Sequence, residues 1–301
     1  MKRFRIAILL LLLLALACSD PQTPQTADLS ARPTVRIVTK KPAEPDATPD
    51  VDTVDLSSAE APTLPPTPTP SPEPTPTPTP PPLRGIKIGL DPGHQQRANI
   101  NEEPIAPDEE TYKAKCSSGT RGIATGIYEY EVNLQVALKL KALLEEAGAE
   151  VFLTRETNNV NISNRERAEF FNENEVDLAV RLHCNGTDDT SVRGAFMLLP
   201  AKERTSFYNE NLRLATAIIE QYCKETGIAT LKRNGITYRS DQTGFNWCTR
   251  PIVCIEMGHM SNESEDLLLT NDTFQDKMAF GIYRGILAYF DPDQASEGGN
   301  P

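Results

Sequence analysis

The chain predicts an α/β domain in which a mostly parallel sheet is covered by helices on both faces. Two observations carry that reading: short apolar runs alternate with longer stretches of helical periodicity, and the runs end in turn-forming residues. A third concerns the histidines. The 301 residues hold only three, and two of them follow apolar runs, Ile86-Lys-Ile-Gly-Leu-Asp-Pro-Gly-His94 and Asp177-Leu-Ala-Val-Arg-Leu-His183. In an open α/β sheet the carboxyl ends of the strands are where ligands bind.

The first 83 residues stand apart from that domain. Met1 to Cys18 has basic Lys2, Arg3 and Arg5 followed by an apolar run from Ile6 to Ala17, too short and wrongly flanked for a spanning helix. It reads as an export signal. Its Leu14-Ala-Leu-Ala-Cys18 ending resembles a bacterial lipoprotein processing box, which predicts a lipid anchor on Cys18 and a domain at the outer face of the cytoplasmic membrane; secretion to the wall is the alternative. Residues 19–83 are rich in Pro and Thr, and the alternating prolines of Pro62 to Pro82 favour polyproline II, reaching on the order of 60 Å. This stretch is expected to be a disordered linker, residues 84–291 the folded domain and residues 292–301 a flexible tail.

A net charge of −12 argues against a nucleic-acid partner, which requires clustered Lys and Arg. Six cysteines in an exported chain suggest disulfides, but once Cys18 carries lipid an odd number remains, with no CxxC pair, so at least one thiol is expected to be free. No wall-binding repeat is present, and the domain is expected to act as a monomer.

Along the folded part, Gln95 to Thr125 is polar and reads as a long loop over the sheet edge. Glu129 to Gly148 reads as a helix with Val132, Val136, Leu140, Leu143 and Ala147 as one stripe. Ala149 to Thr154 is a strand, and Ser163-Asn-Arg-Glu166 is a capping box opening a short helix to about Asn174. The 177–183 strand, a strand from Gly194 to Leu199 and a helix from Ser206 to Thr226 closed by Gly227 follow. Asn234 to Arg250 reads as irregular, Pro251 to Glu256 as a strand, and Thr273 to Phe290 as a helix with Met278, Ile282, Ile286 and Tyr289 on its apolar face.

Two imidazoles and a carboxylate are a ligand set of zinc sites that keep a fourth position for water, and such an ion polarises an amide carbonyl. His94 and His183 supply the imidazoles. Glu129 and Glu131, in one helical turn, compete for the carboxylate, since acidic groups there also suit the helix dipole. Glu256, after four apolar residues, points to the same edge as a general base and acid. Several neighbours read as structural: Asp91 as a turn former through an Asx bond in preference to a partner orienting the histidine, Arg167 as one half of an internal ion pair in preference to a substrate contact, His259 as a packing or rim residue, Asn262 and Glu265 as caps of the next helix. Trp247 and Asn246 suit a sugar or peptide as well as they suit the rim, and Arg233, Arg239 and Arg250 a substrate carboxylate or plain solvation.

Taken in order, Leu-Asp-Pro-Gly-His94, Gly-Ile-Tyr-Glu-Tyr-Glu-Val-Asn-Leu134, Gly-Ala-Glu-Val-Phe-Leu-Thr-Arg155, Arg-Leu-His-Cys-Asn185 and Ile-Glu-Met-Gly-His-Met-Ser-Asn262 resemble the zinc-dependent N-acetylmuramoyl-L-alanine amidases of the amidase 3 type. The similarity runs from Ile86 to Phe290. It implies a mixed sheet flanked by helices and hydrolysis of the peptidoglycan amide between N-acetylmuramic acid and L-alanine, with a zinc carboxypeptidase or a non-catalytic wall-binding module as alternatives. Carried over residue by residue, it implies one Zn2+ on His94, Glu129 and His183, with Glu256 catalytic. Cys184 stands where the family has a small alanine or serine, and His259 where phenylalanine is common.

Overall fold

The computed structural model describes residues 80–291 apart from Arg233; the expected export signal, almost all of the expected linker and the expected tail lie outside the described residues. The elements, in order, are β1 (Lys87–Pro92), β2 (Asn99–Pro104), β3 (Tyr112–Cys116), α1 (Glu129–Glu146), β4 (Glu150–Leu153), α2 (Asn164–Glu173), β5 (Leu178–Asn185), β6 (Phe196–Pro200), α3 (Tyr208–Thr226), β7 (Ile236–Arg239), α4 (Thr243–Asn246), β8 (Ile252–His259), α5 (Glu263–Leu269) and α6 (Asp272–Phe290).

Six strands form one sheet in the order β4-β1-β5-β8-β6-β7. The β4, β1, β5 and β8 strands pair in parallel, whereas β6 runs antiparallel to β8 and parallel to β7. The sheet is therefore mixed, as the resemblance implied. Side-chain alternation along each strand divides the core between the two faces. Ile88, Leu90, Val180, Leu182, Val253 and Ile255 face the main cluster built with α1, α3 and α6. Ala179, Cys254, Phe196 and Leu198 face a smaller cluster with Phe171 of α2 and Phe245 of α4.

The helix boundaries follow their caps. Ser163 Oγ accepts the Glu166 amide while the Glu166 carboxylate accepts the Ser163 amide, the reciprocal pair the sequence predicts. Gly227 closes α3 at φ +75°, a left-handed position that costs glycine least. Of the two residues expected to cap α5, Asn262 does so, accepting the Glu265 amide. The Glu265 carboxylate instead binds the amides of Gly194 and His259.

Four expectations need correction. Residues 95–125 are not one loop: β2 and β3 pair as an antiparallel hairpin, tied down by the Trp247 Nε1 bond to the Pro104 carbonyl and by the Arg204–Glu109 pair. Their short polar strands, largely exposed, carry no apolar alternation to reveal them. Residues 234–250 hold the edge strand β7 and the single-turn helix α4, both of four residues. Leu83, expected at the end of the linker, is fully buried in the main cluster and donates its amide to Ala147 O, so packing begins before residue 84. Asp91 makes no Asx turn; it lies at the centre of a buried ion-pair network.

Candidate metal and catalytic site

β1 ends at Pro92 and hands the chain to Gly93 and His94 at the carboxyl edge of the parallel strands. His94 is held at φ +62°, an uncommon conformation for a non-glycine residue that persists where neighbours over-determine it. Its carbonyl accepts Arg167 Nη2 at 3.1 Å, and its Nδ1 lies 3.1 Å from the Ser117 carbonyl. Ser117 Oγ lies 3.0 Å from the same nitrogen; the carbonyl only accepts, so the pair is satisfied with the proton on Nδ1 and the hydroxyl also accepting, which leaves Nε2 a lone pair.

His183 lies in β5, beside Glu256 of β8 in the parallel register. Glu129 opens α1. Its partner in the first turn, Glu131, turns back to accept the Tyr128 amide at 3.0 Å, which decides between the two carboxylates: Glu131 caps and Glu129 points inward. Thr120 N donates to Glu129 Oε2 at 2.9 Å, while Cys184 N and Asn133 Nδ2 donate to Oε1 at 3.1 and 3.3 Å. Gly119 gives room for this: a Cβ there would come within 2.6 Å of the Glu129 carboxylate.

The three side chains converge. His94 Nε2 and His183 Nδ1 each lie 3.1 Å from Glu129 Oε1, and 3.1 Å from one another. The edge of a tetrahedron built on bonds of about 2.0 Å is about 3.3 Å, so the three atoms fit the corners of a zinc site. They form a group that can hold a metal ion.

Electrostatics agree with the geometry. Burial works to raise the Glu129 carboxyl, but His94 and His183 outweigh it and hold the group well below its usual range. Burial pulls His183 down to about 4, against the opposing pull of Glu129, so its imidazole is neutral at pH 7. Glu256 is pushed well above the ordinary carboxylate range by burial and then by Glu129, with Arg181 and Arg239 opposing. Its Oε2 has no hydrogen-bond partner among the described residues. Glu256, His94 and His183 line one cleft.

Behind the cleft, Asp91 accepts Arg167 Nη1 at 2.6 Å, Arg181 Nε at 2.8 Å and Thr154 Oγ1 at 2.7 Å, with both guanidiniums buried and Thr154 half-buried. Arg167 is thus half of an internal pair, as expected. Arg155 donates to the carbonyls of Pro92, Gly93 and Tyr130, locking the turn that carries His94. His259 is fully buried, its ring nitrogen 3.0 Å from Asn185 Nδ2. Arg239 pairs with Asp241 and Arg250 donates to Val176 O; Arg233 lies outside the described residues. Asn246 bonds the Ser240 carbonyl and Trp247 packs under Arg165. The five described cysteines are free.

The supporting residues Ser117, Thr120, Asn133 and Arg155 escaped sequence reasoning. Asn133, four residues after Glu129 on one helix face, was the one with a spacing signal.

The Amidase_3 family model, described as N-acetylmuramoyl-L-alanine amidase, matches residues 88–288. The germination-specific N-acetylmuramoyl-L-alanine amidase of Bacillus subtilis (strain 168) is 30% identical over 226 residues, covering 69% of this chain and 81% of that protein. The crystal structure of the amidase Ami1 from Mycobacterium smegmatis superposes with a TM-score of 0.65 at 25% identity, covering 70% of this chain and 99% of that one. The CwlD amidase of Clostridioides difficile, solved in complex with the GerS lipoprotein, is similar at 26% identity and a TM-score of 0.53, covering 69% and 100%.

Proposed function

This chain belongs to the Amidase_3 family, the N-acetylmuramoyl-L-alanine amidases, and from that premise we propose that His94, Glu129 and His183 hold one zinc ion while Glu256 moves the proton. The family's reaction breaks the peptidoglycan amide between the lactyl carboxyl of N-acetylmuramic acid and the amino group of L-alanine. One observation carries the assignment: three ligand atoms 3.1 Å apart, with Glu256 registered beside His183 in the same cleft.

Zinc bound there supplies Lewis acidity to the scissile carbonyl and lowers the pKa of water toward about 7. The chain's own residues do the rest. The Ser117 carbonyl fixes the His94 tautomer, and Thr120 N, Cys184 N and Asn133 Nδ2 hold Glu129 as an oriented carboxylate. Glu256 Oε2, buried and unpartnered among the described residues, takes the proton lost as oxygen adds to the carbonyl carbon and returns it to the departing alanine nitrogen. A carboxyl raised in pKa suits both halves of that transfer. The products are a lactyl carboxylate and a free L-alanine amino terminus.

The domain works outside the cytoplasmic membrane. Residues 1–18 act as the export signal, Cys18 carries the lipid and the stretch between Cys18 and the packed Leu83 forms the tether, a reading supported by the sequence pattern and by wall amidases among the relatives. A Cys18→Ser variant is expected to leave the membrane fraction; one that stays there rejects the anchor.

Digestion of purified peptidoglycan, followed by mass analysis of the fragments, tests the activity. Free alanine amino termini, lost on chelation and restored by zinc, are expected. Stem peptides shortened from their far ends would instead mark a carboxypeptidase.

A further inference from the structure

The same cleft extends below the metal row, and its floor carries a charge with no assigned use. Three guanidiniums lie buried near one another, Arg155 at 3%, Arg167 at 1% and Arg181 at 4% exposure, beside a single carboxylate, Asp91. Arg155 is occupied by backbone carbonyls. Arg167 spends both terminal nitrogens on Asp91, the carbonyls of Pro92 and His94, and Gln95, and its Nε, buried and without a partner among the described residues, lines no part of the cleft. Arg181 differs. Its Nε donates to Asp91 Oδ2 and its Nη2 to Asn164 Oδ1, both at 2.8 Å, whereas its Nη1 donates to no protein atom among the described residues.

Arg181 lines the cleft together with His183 and Glu256. It sits two residues before His183 on the same face of β5, registered against Cys254 as His183 is registered against Glu256. Gly244 of α4 leaves space beside it: a Cβ there would come within 2.6 Å of Nη1. The fork is therefore fixed by two protein bonds, with its third nitrogen kept clear. A role confined to pairing with Asp91 accounts for Nε alone and leaves Nη1 free to meet a group that enters the cleft.

We infer that Arg181 binds substrate, its Nη1 taking a carboxylate on the stem-peptide residue that follows the scissile alanine. This rests on the amidase reading of the same site. Two residues of strand separate the Arg181 row from the His183 row by about 6.6 Å. An extended peptide covers about 3.3 to 3.6 Å per residue, so a substrate whose reacting carbonyl lies at His183 and Glu256 brings the next residue's α-carboxylate to the Arg181 row. A guanidinium discriminates there by charge, since its bond to a carboxylate is roughly twice as strong as a neutral one to a carboxamide.

The test uses two disaccharide tripeptides differing only at the second stem residue, one with D-isoglutamate and its free α-carboxylate, the other with D-isoglutamine. The ratio of their kcat/KM values, measured within one preparation of the zinc-loaded full chain, is unaffected by any unfolded fraction. The wild type is expected to prefer the carboxylate about tenfold or more. Arg181→Gln brings the ratio close to one, and Gly244→Ala, which crowds Nη1 while leaving Arg181 charged, lowers it. Equal cleavage by the wild type, or a preference that survives Arg181→Gln, overturns the inference while the amidase reading stands. Cleavage of neither compound overturns both.

Discussion

Gly93→Ala tests whether the position of His183 sets activity. The backbone at Gly93 is not in the left-handed region, so alanine adds no conformational strain. The added methyl is the whole perturbation. It would lie 2.1 Å from His183 Cε1 and 2.2 Å from Nε2, where ordinary contact begins at 3.4 Å, so the ring must retreat by about 1.3 Å (3.4 − 2.1). Its Nδ1 then leaves the 3.1 Å triangle with His94 and Glu129. Misplacing a reacting group by about 1 Å costs on the order of 100-fold, or about 2.7 kcal/mol of barrier. The assay pairs kcat/KM on soluble muropeptides with zinc content after dialysis. Gly89→Ala is the control: its methyl would lie 2.6 Å from the Phe171 ring, disturbing the core on the same strand without facing the ligands. It should lower the melting temperature and keep the metal. A Gly93→Ala enzyme with full zinc and more than about a tenth of wild-type kcat/KM would refute this reasoning.

Three further outcomes follow from the geometry. Asp91→Ala strands the Arg167 and Arg181 charges in the interior, which should cost on the order of 3 to 5 kcal/mol and lower the melting temperature by about 6 °C or more; calorimetry showing a change under about 2 °C would contradict the buried-pair account. Glu131→Gln should lose only part of a helix cap, about 1 kcal/mol or less, and keep its zinc, whereas Glu129→Gln should lose zinc; metal analysis of the two variants separates them. In chelator, and in a Glu256→Gln background that removes the opposite-signed contribution of that raised carboxyl, stability should fall on acidification. His183 titrates at about 4 folded against 6.5 unfolded, so its contribution is complete above 6.5 and is lost between 6.5 and 4, up to on the order of 3 kcal/mol. Glu129, also depressed, adds a loss of the same sign below 4.5. Melting temperatures that stay level from pH 7 to pH 5 would rule this out.

The parts of the molecule legible in the sequence are those whose physics is local or periodic. The stripe of α1, the Ser163 capping box and the Gly227 stop need only their own neighbours, and all are seen. His94, His183 and Glu256 were legible because buried parallel strands read as apolar runs, and a polar residue at such a run's end has nowhere to go but the sheet's edge. Choosing Glu129 over Glu131 took the family resemblance; in the structure, the bond from the Tyr128 amide to Glu131 supplies the physical reason. The β2–β3 hairpin stayed hidden because neither strand buries a continuous face, and β7 because four edge residues make too short a pattern. Asp91 was misread for a related reason. An Asx turn is the local use of an aspartate before Pro-Gly, whereas its partners Arg167 and Arg181 are 76 and 90 residues away and become visible only once β1, α2 and β5 have packed.

The most direct measurement of the central claim is an X-ray structure of the zinc-supplemented protein with anomalous data collected at the zinc edge. One ion per chain is expected, bonded to His94 Nε2, His183 Nδ1 and Glu129, with Glu256 in the same cleft but outside the bonding shell. Density placing the metal elsewhere, or on Glu256 in place of one of those three, would contradict it.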